Sequence, residues 1–95
     1  MPDLPLIFGE TLRQQRVARS ISQEELAHKA SVDRTFVSRI ERGIRQPTIS
    51  TLFGLAQALE MAPEHLVEMV ACRWREAAVC ETQGDLPAGP GSVTG

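Results

Sequence analysis

Residues 23–42 read QEELAHKASVDRTFVSRIER and contain two short helical patterns with only a tight turn between them. Ser22 precedes the first pattern as an N-cap, and Glu25 stands at the position that completes a capping box. Ile21 and Leu26 occupy the two positions of a hydrophobic staple. The sequence therefore predicts a well-defined start for the first of these two helices.

The second pattern predicts a helix with one packing face and one polar face. Asp33 can cap its start, and Gly43 can end it, because glycine adopts the left-handed backbone conformation without steric cost. Helical periodicity places Val37, Ile40 and Glu41 on the packing side. The polar side carries Arg34, Thr35, Ser38, Arg39 and Arg42.

Helical spacing extends outward on both sides of this pair, and no segment alternates as a β-strand would. We predict an all-α fold of five helices, with the first over residues 7–19, the fourth opened by Pro47 and Thr48, and the fifth over residues 63–78. Residues 79–95 are rich in Gly, Pro and small polar residues. We therefore expect one domain over residues 1–78 followed by a disordered tail.

Charge is distributed unevenly along the 95 residues. The net charge of -2, taken alone, argues against a nucleic-acid partner. Residues 34–45 nevertheless carry four arginines against the single acid Glu41, whereas residues 51–95 carry two arginines and six acids. The basic segment is therefore a candidate nucleic-acid surface.

Other function classes find little support in the residues. Cys72 and Cys80 lack the spacing and the partner residues of a zinc site, so we expect reduced thiols and no metal. No paired carboxylates, nucleophile–base arrangement or phosphate loop can be assembled, so we expect no enzymatic activity and no cofactor. Without a signal-peptide pattern or a membrane-length apolar run, we expect a soluble cytoplasmic protein with no membrane contact. No ligand-sensing domain is evident, so we expect no small-molecule partner.

Residues 23–42 resemble the helix-turn-helix of the Cro/cI (Xre-like) repressor family, and the ERG of residues 41–43 matches as well. The family's packing positions are occupied by Leu26, Ala27, Val37 and Ile40. With the flanking helices, the resemblance covers about residues 8–70. Residues 32–49, VDRTFVSRIERGIRQPTI, and the chain length are also similar to the controller proteins of restriction-modification systems. The resemblance implies a five-helix Cro/cI repressor-like domain that binds double-stranded DNA sequence-specifically and regulates transcription.

Two positions depart from the family pattern. Ser31 stands in the turn where the family commonly has a glycine, and a positive φ there costs a non-glycine residue about 1 kcal/mol. Glu60 stands where relatives often have glycine. We therefore expect the turn and the join between the fourth and fifth helices to differ in shape from those of the family.

Arg16 and Glu41 both fall on inward faces by periodicity. An unpaired charge there is strongly disfavoured, so we infer that the two form a structural ion pair. The resemblance agrees, since Cro/cI domains often hold an arginine of the first helix against the glutamate that ends the recognition helix. The alternative is that each side chain reaches solvent separately.

Within this frame, the polar face of the third helix is predicted to read bases in the major groove. The base-reading candidates are Arg34, Thr35, Ser38 and Arg39, and the phosphate-binding candidates are Gln23, Arg42, Gly43 and Arg45. Arginine can bond guanine through two acceptors, and a threonine methyl can contact thymine. The alternative is an ordinary solvated helix face. Phe36 is predicted either to touch a thymine methyl or sugar or to cover the helix-turn-helix junction.

The fourth and fifth helices carry more apolar residues than a small monomer needs, which predicts a homodimer. The interface candidates are Phe53, Leu66, Met69, Val70 and Trp74, and the alternative is that they belong to the core. A dimer would read a palindromic operator with half-sites about 34 Å apart. By the resemblance, the bound dimer blocks or recruits RNA polymerase. Two other functions stay open: an antitoxin whose C-terminal region binds a toxin, and a helical interaction module without DNA binding.

Overall fold

The computed structural model of the chain describes residues 2–81, with side chains as far as residue 78. Five α-helices follow one another: α1 Leu4–Ala18, α2 Gln23–Ala30, α3 Arg34–Glu41, α4 Ile49–Ala58 and α5 Pro63–Glu81. Residues 2–81 contain no β-strand, so the predicted all-α architecture is confirmed. α5 continues to Glu81 rather than ending near residue 78, and the rest of the predicted tail lies outside the described residues. No helix within the described part of the chain is long and apolar enough to cross a membrane.

Side-chain caps set the starts of three helices. Ser22 Oγ accepts a hydrogen bond from the Glu25 N–H at 3.0 Å, as predicted, and Thr48 Oγ1 accepts one from the Thr51 N–H at 3.2 Å. Asp3 Oδ1 accepts a bond from the Leu6 N–H at 3.2 Å. Because aspartate is a strong N-cap and proline suits the first turn of a helix, α1 begins at Leu4 and not at residue 7 as predicted.

Asp33 occupies the N-cap position of α3 but makes no side-chain capping bond, unlike Asp3, Ser22 and Thr48. The N–H groups of Phe36 and Val37 bond instead to its backbone carbonyl at 3.0 and 3.2 Å. Asp33 is therefore the N-cap residue, as predicted, but its side chain does not make the capping hydrogen bond.

The core lies where all five helices meet. Its largest fully buried aliphatic side chains are Leu12, Leu26, Val37, Ile40, Leu55, Leu59 and Leu66. Helix α3 packs against α1 and α2, α2 also packs against α4, and α5 packs against α1 and α4. Two neighbours therefore hold α3 from one side and leave its other side uncovered.

Among residues 2–81, four adopt a positive φ, and they mark the chain reversals. Ser31, with φ 60°, ends α2 in the left-handed conformation, as predicted for the turn. Ser20 and Glu60 have φ values of 57° and 58°, and Gly43 has 78°. At Gly43 a Cβ would also lie 2.9 Å from the Leu6 Cα, so this position requires glycine for both conformation and space.

Candidate nucleic-acid interface

Helix α3 presents one polar face to solvent. Val37, Ile40 and Glu41 are buried against the neighbouring helices. Arg34, Thr35 and Arg39 are exposed, and Ser38 is half-buried. The predicted base-reading residues therefore share one accessible face, because the helix buries only its other side.

The two arginines within α3 on this face are free to bind a partner. Within residues 2–81, neither the Arg34 nor the Arg39 guanidinium forms a hydrogen bond or an ion pair. Each guanidinium carries five N–H donors in a planar arrangement that suits two-point contacts to an acceptor pair. The polar face of α3 therefore offers guanidinium N–H donors that no other group in the described part of the chain engages.

Glu41, the acid within the basic segment, is removed from the surface by Arg16. Arg16 Nε lies 2.6 Å from Glu41 Oε2, and Nη2 lies 3.0 Å from Oε1, so the pair is bidentate. The Arg16 and Glu41 side chains are 12% and 2% exposed. Arg16 Nη1 also donates to the Ile21 carbonyl at 2.8 Å. The predicted ion pair is present, and it ties α1 to the end of α3.

Gln23 completes this cluster, which the sequence pattern did not indicate. Its Nε2 donates to Glu41 Oε1 at 3.0 Å, so the half-buried side chain links α2 to α3. We predicted Gln23 as a phosphate-binding residue, and its side-chain amide is instead already engaged within the protein. What it can still offer a phosphate is its backbone N–H, which has no intrahelical partner in the first turn of α2.

Backbone hydrogen bonds hold the segment after α3 against the last turn of that helix. The N–H groups of Ile44 and Arg45 both bond to the Arg39 carbonyl, at 2.9 and 3.3 Å. Arg42 Nε lies 3.4 Å from the Ser38 carbonyl, and the Arg45 Cζ lies 5.9 Å from the centroid of the Phe36 ring. Phe36 is half-buried against the core, which matches its predicted role at the junction.

The exposed arginines of α3 and the following segment form one basic surface. We call this set the arginine face; it comprises Arg34, Arg39, Arg42 and Arg45, all exposed. Because the carboxylate of Glu41 is buried and paired, no acid of residues 34–45 offsets these charges at the surface. The arginine face therefore attracts a polyanion despite the net negative charge of the chain.

The predicted dimer residues divide into two groups. Leu66 is fully buried, and Val70 is 7% exposed, so both belong to the monomer core. Leu66 has no surface to offer a partner, and its assignment to the interface is wrong because α5 packs on α1 and α4 through that side. Phe53 is 54% exposed, and Met69 and Trp74 are half-buried.

An apolar cavity of about 300 Å³ lies beside Trp74. Its lining also includes Leu4, Pro5, Phe8, Pro47, Leu52, Val67, Val70 and Ala71. Exposed apolar surface therefore continues from α5 onto the start of α1. In residues 2–81, no three His, Cys, Asp or Glu side chains come together as metal ligands would.

Known proteins share both the sequence pattern and the architecture. A family model described as helix-turn-helix matches residues 12–66. The control protein C.BamHI of Bacillus amyloliquefaciens is 36% identical over 67 residues, which cover 70% of this chain and 83% of that protein.

Two solved controller structures are similar to this fold. The restriction-modification controller protein C.AhdI from Aeromonas hydrophila matches with a TM-score of 0.64 and 39% identity, over 65% of this chain and 94% of that one. The controller protein C.Esp1396I, solved as a tetramer with its natural 35 base-pair operator, matches with a TM-score of 0.68 and 31% identity, over 75% of this chain and 93% of that one.

Proposed function

The chain belongs to the helix-turn-helix family of DNA-binding transcriptional regulators, and we propose that it binds a palindromic operator as a homodimer through the arginine face. The observation that carries this proposal is the exposed, uncompensated charge on a helix that two neighbours hold in place. A helix of this kind fits the major groove, where base edges are distinguishable.

We assign base reading to the exposed side of α3. Arg34 and Arg39 have free guanidinium groups that can each bond a guanine through O6 and N7, which contributes about 1 to 3 kcal/mol of discrimination per pair. Thr35 can contact a base with its methyl group or its hydroxyl, and Ser38 can do so with its hydroxyl. If this were an ordinary solvated helix face, the presence on one short helix of two arginines, Arg34 and Arg39, that are unpaired within residues 2–81 would have no explanation.

Phosphate contacts are assigned to the rim of this face. Arg42 and Arg45 are exposed on either side of Gly43, a half-buried residue whose backbone is the third candidate contact. The Gln23 N–H has no intrahelical partner at the N-terminus of α2, a position that favours an anion. These contacts position the domain on the duplex without reading its sequence.

The homodimer is proposed to form through the exposed apolar residues of α4 and α5. Phe53, Met69 and Trp74 keep accessible surface in the monomer, and the cavity beside Trp74 extends that surface. Two recognition helices related by a two-fold axis read a palindrome whose half-sites lie about 34 Å apart. A single helix reads too few base pairs for genomic specificity.

The regulatory role follows from operator occupancy. C.BamHI is named a control protein and C.AhdI a restriction-modification controller protein, which supports the same role for this chain. We propose that the bound dimer blocks or recruits RNA polymerase in the cytoplasm, that dimer concentration sets the response, and that the chain has no enzymatic activity.

Selection of binding sites from random duplex DNA tests the function. We expect the wild-type protein to enrich a palindrome, and we expect Arg34→Ala and Arg39→Ala to relax the preference at particular positions of each half-site. Arg75→Ala removes an exposed arginine of α5 and serves as the charge-matched control. Binding without preference among duplexes, even at low ionic strength, would refute the proposal.

A further inference from the structure

The ring of Phe36 joins the recognition helix to a cation of the following segment. Phe36 packs against the core, and the Arg45 guanidinium carbon lies 5.9 Å from the ring centroid. At this separation a guanidinium is attracted to the negative face of an aromatic ring. No hydrogen bond or ion pair engages the Arg45 side chain within residues 2–81, so the ring is its partner there.

The backbone explains why Arg45 reaches this ring. The left-handed Gly43 reverses the chain, and the N–H groups of Ile44 and Arg45 then bond to the Arg39 carbonyl. Phe36 lies three positions before Arg39, on the adjacent turn of the helix. The segment is thus fastened to α3 at a point from which the Arg45 side chain can lie over the ring.

We propose that Phe36 is a positioning residue that holds the Arg45 guanidinium in its phosphate-binding orientation. This inference rests on the proposed DNA-binding function and adds a residue to it. An arginine side chain loses considerable rotamer freedom when it is fixed on a phosphate. The ring restricts that freedom before DNA arrives, and a ligand-binding group that is already ordered binds more tightly.

The contact between Phe36 and Arg45 also links the phosphate contact to the base-reading residues. Because the ring belongs to the recognition helix, the phosphate contact of Arg45 keeps a fixed register relative to Arg34 and Arg39. The Arg39 carbonyl ties the backbone of Arg45 to α3, and the ring then fixes the direction of the Arg45 side chain, so the phosphate and base contacts belong to one unit.

A direct contact between Phe36 and a base is the competing role, and the two roles differ in what they change. Positioning of a phosphate contact acts on affinity for every duplex and on its salt dependence. A contact to a thymine methyl acts on the preference between duplexes and leaves the salt dependence alone.

The test uses the full chain with Phe36→Leu, Phe36→Tyr, Arg45→Ala and the double variant Phe36→Leu/Arg45→Ala. Leucine keeps an apolar group without a π face, and tyrosine keeps the ring. Fluorescence anisotropy measures the affinity for the selected operator duplex and for a random-sequence duplex of equal length at several salt concentrations, with Arg75→Ala as the charge-matched control.

We expect Phe36→Leu to weaken both duplexes by about two- to fivefold per protomer, as for an exposed cation–π contact. The slope of affinity against salt should flatten toward that of Arg45→Ala, which loses about one phosphate contact per protomer. Phe36→Tyr should behave as wild type. In the Arg45→Ala background, Phe36→Leu should have no further effect.

An effect of Phe36→Leu that persists undiminished in the Arg45→Ala background would overturn the proposal. This comparison also identifies a folding defect, because lost structure would weaken binding in both backgrounds. An unchanged salt slope with an altered preference between duplexes would overturn it in favour of base contact. Failure of the wild-type protein to prefer the operator would refute the proposed function, and the random duplex would still test the role of Phe36.

Discussion

Gly9 is a point of close backbone approach between α1 and α3. A Cβ at this position would overlap the carbonyl oxygen of Ile40 and lie 2.7 Å from the carbonyl oxygen of Glu41. Both obstacles are backbone atoms at the end of the recognition helix, so neither can rotate away. The position of the arginine face therefore depends on the absence of a side chain on α1.

Gly9→Ala should lower the free energy of unfolding by more than about 2 kcal/mol, because α1 and α3 must separate to admit the methyl group. Urea denaturation measures this change. Gly54→Ala is the matched control, since its Cβ would meet the Ala30 carbonyl oxygen at an ordinary 3.5 Å and alanine favours the helix by up to about 1 kcal/mol. Equal stability of the two variants would contradict the close approach of α1 and α3.

Arg16→Ala should cost about 3 kcal/mol of stability, because it leaves the Glu41 carboxylate buried with Gln23 as its remaining side-chain partner. Thermal unfolding measures the loss. Arg16→Lys should recover only part of it, since an ammonium cannot reproduce the two parallel bonds of the guanidinium. The control is Arg13→Ala, an exposed arginine on the same helix. A harmless Arg16→Ala would show that the pair contributes nothing.

At the scale of the helices, Ser22 and Asp33 are both N-caps, but only the Ser22 side chain makes a capping hydrogen bond. Ser22→Ala should destabilise the protein by about 1 kcal/mol, since it removes the acceptor of the Glu25 N–H. Asp33→Ala should cost clearly less, because the Asp33 side chain makes no capping bond in the structure. Chemical denaturation of both variants checks the order of the two losses, and the reverse order would contradict the capping geometry of α3.

Local signals in the sequence were sufficient for most helix boundaries. The Ser22 cap, the Gly43 stop and the turn at Ser31 depend on the chemistry of neighbouring residues, and all three are confirmed. The start of α1 was missed although Asp3 and Pro5 carried the signal, because the prediction followed the apolar spacing alone. Boundaries are therefore predictable where the capping residues are read together with periodicity.

Contacts between helices were harder to predict, because periodicity identifies which face of a helix is buried but not which other helix packs against that face. The pairing of Arg16 with Glu41 could be inferred, since two inward charges must be neutralised. Nothing marked Gln23 as the third member of that cluster, since its residue type is equally common on surfaces. For the same reason Leu66 was assigned to an interface although it belongs to the core.

At the scale of the whole molecule, opposite charges lie in different parts of the chain. The arginine face belongs to α3 and the segment after it, whereas α5 carries the exposed acids Glu64, Glu68 and Glu76. A phosphate backbone is attracted to the first region and repelled by the second, so the charge distribution orients the protein before contact. The net charge of -2 is therefore compatible with DNA binding.

The same arrangement leaves α4 and α5 available for a second copy, and Phe53 is the residue that tests this. Burial of an exposed aromatic side chain contributes about 1.5 to 3 kcal/mol. Phe53→Ser should therefore raise the dimer dissociation constant roughly tenfold or more, which sedimentation equilibrium measures. Val17→Ser is the control, because Val17 on α1 is 53% exposed, close to the 54% of Phe53.

The effect of Phe53→Ser on DNA should depend on the length of the site. Affinity for a full palindrome should fall because binding must also pay for assembly of the dimer, whereas affinity for a single half-site should match that of the wild-type protein. The melting temperature of the wild-type protein should rise with protein concentration, and that of Phe53→Ser should rise less. If Phe53→Ser and Val17→Ser behave alike in sedimentation, the two-fold interface lies elsewhere than on α4.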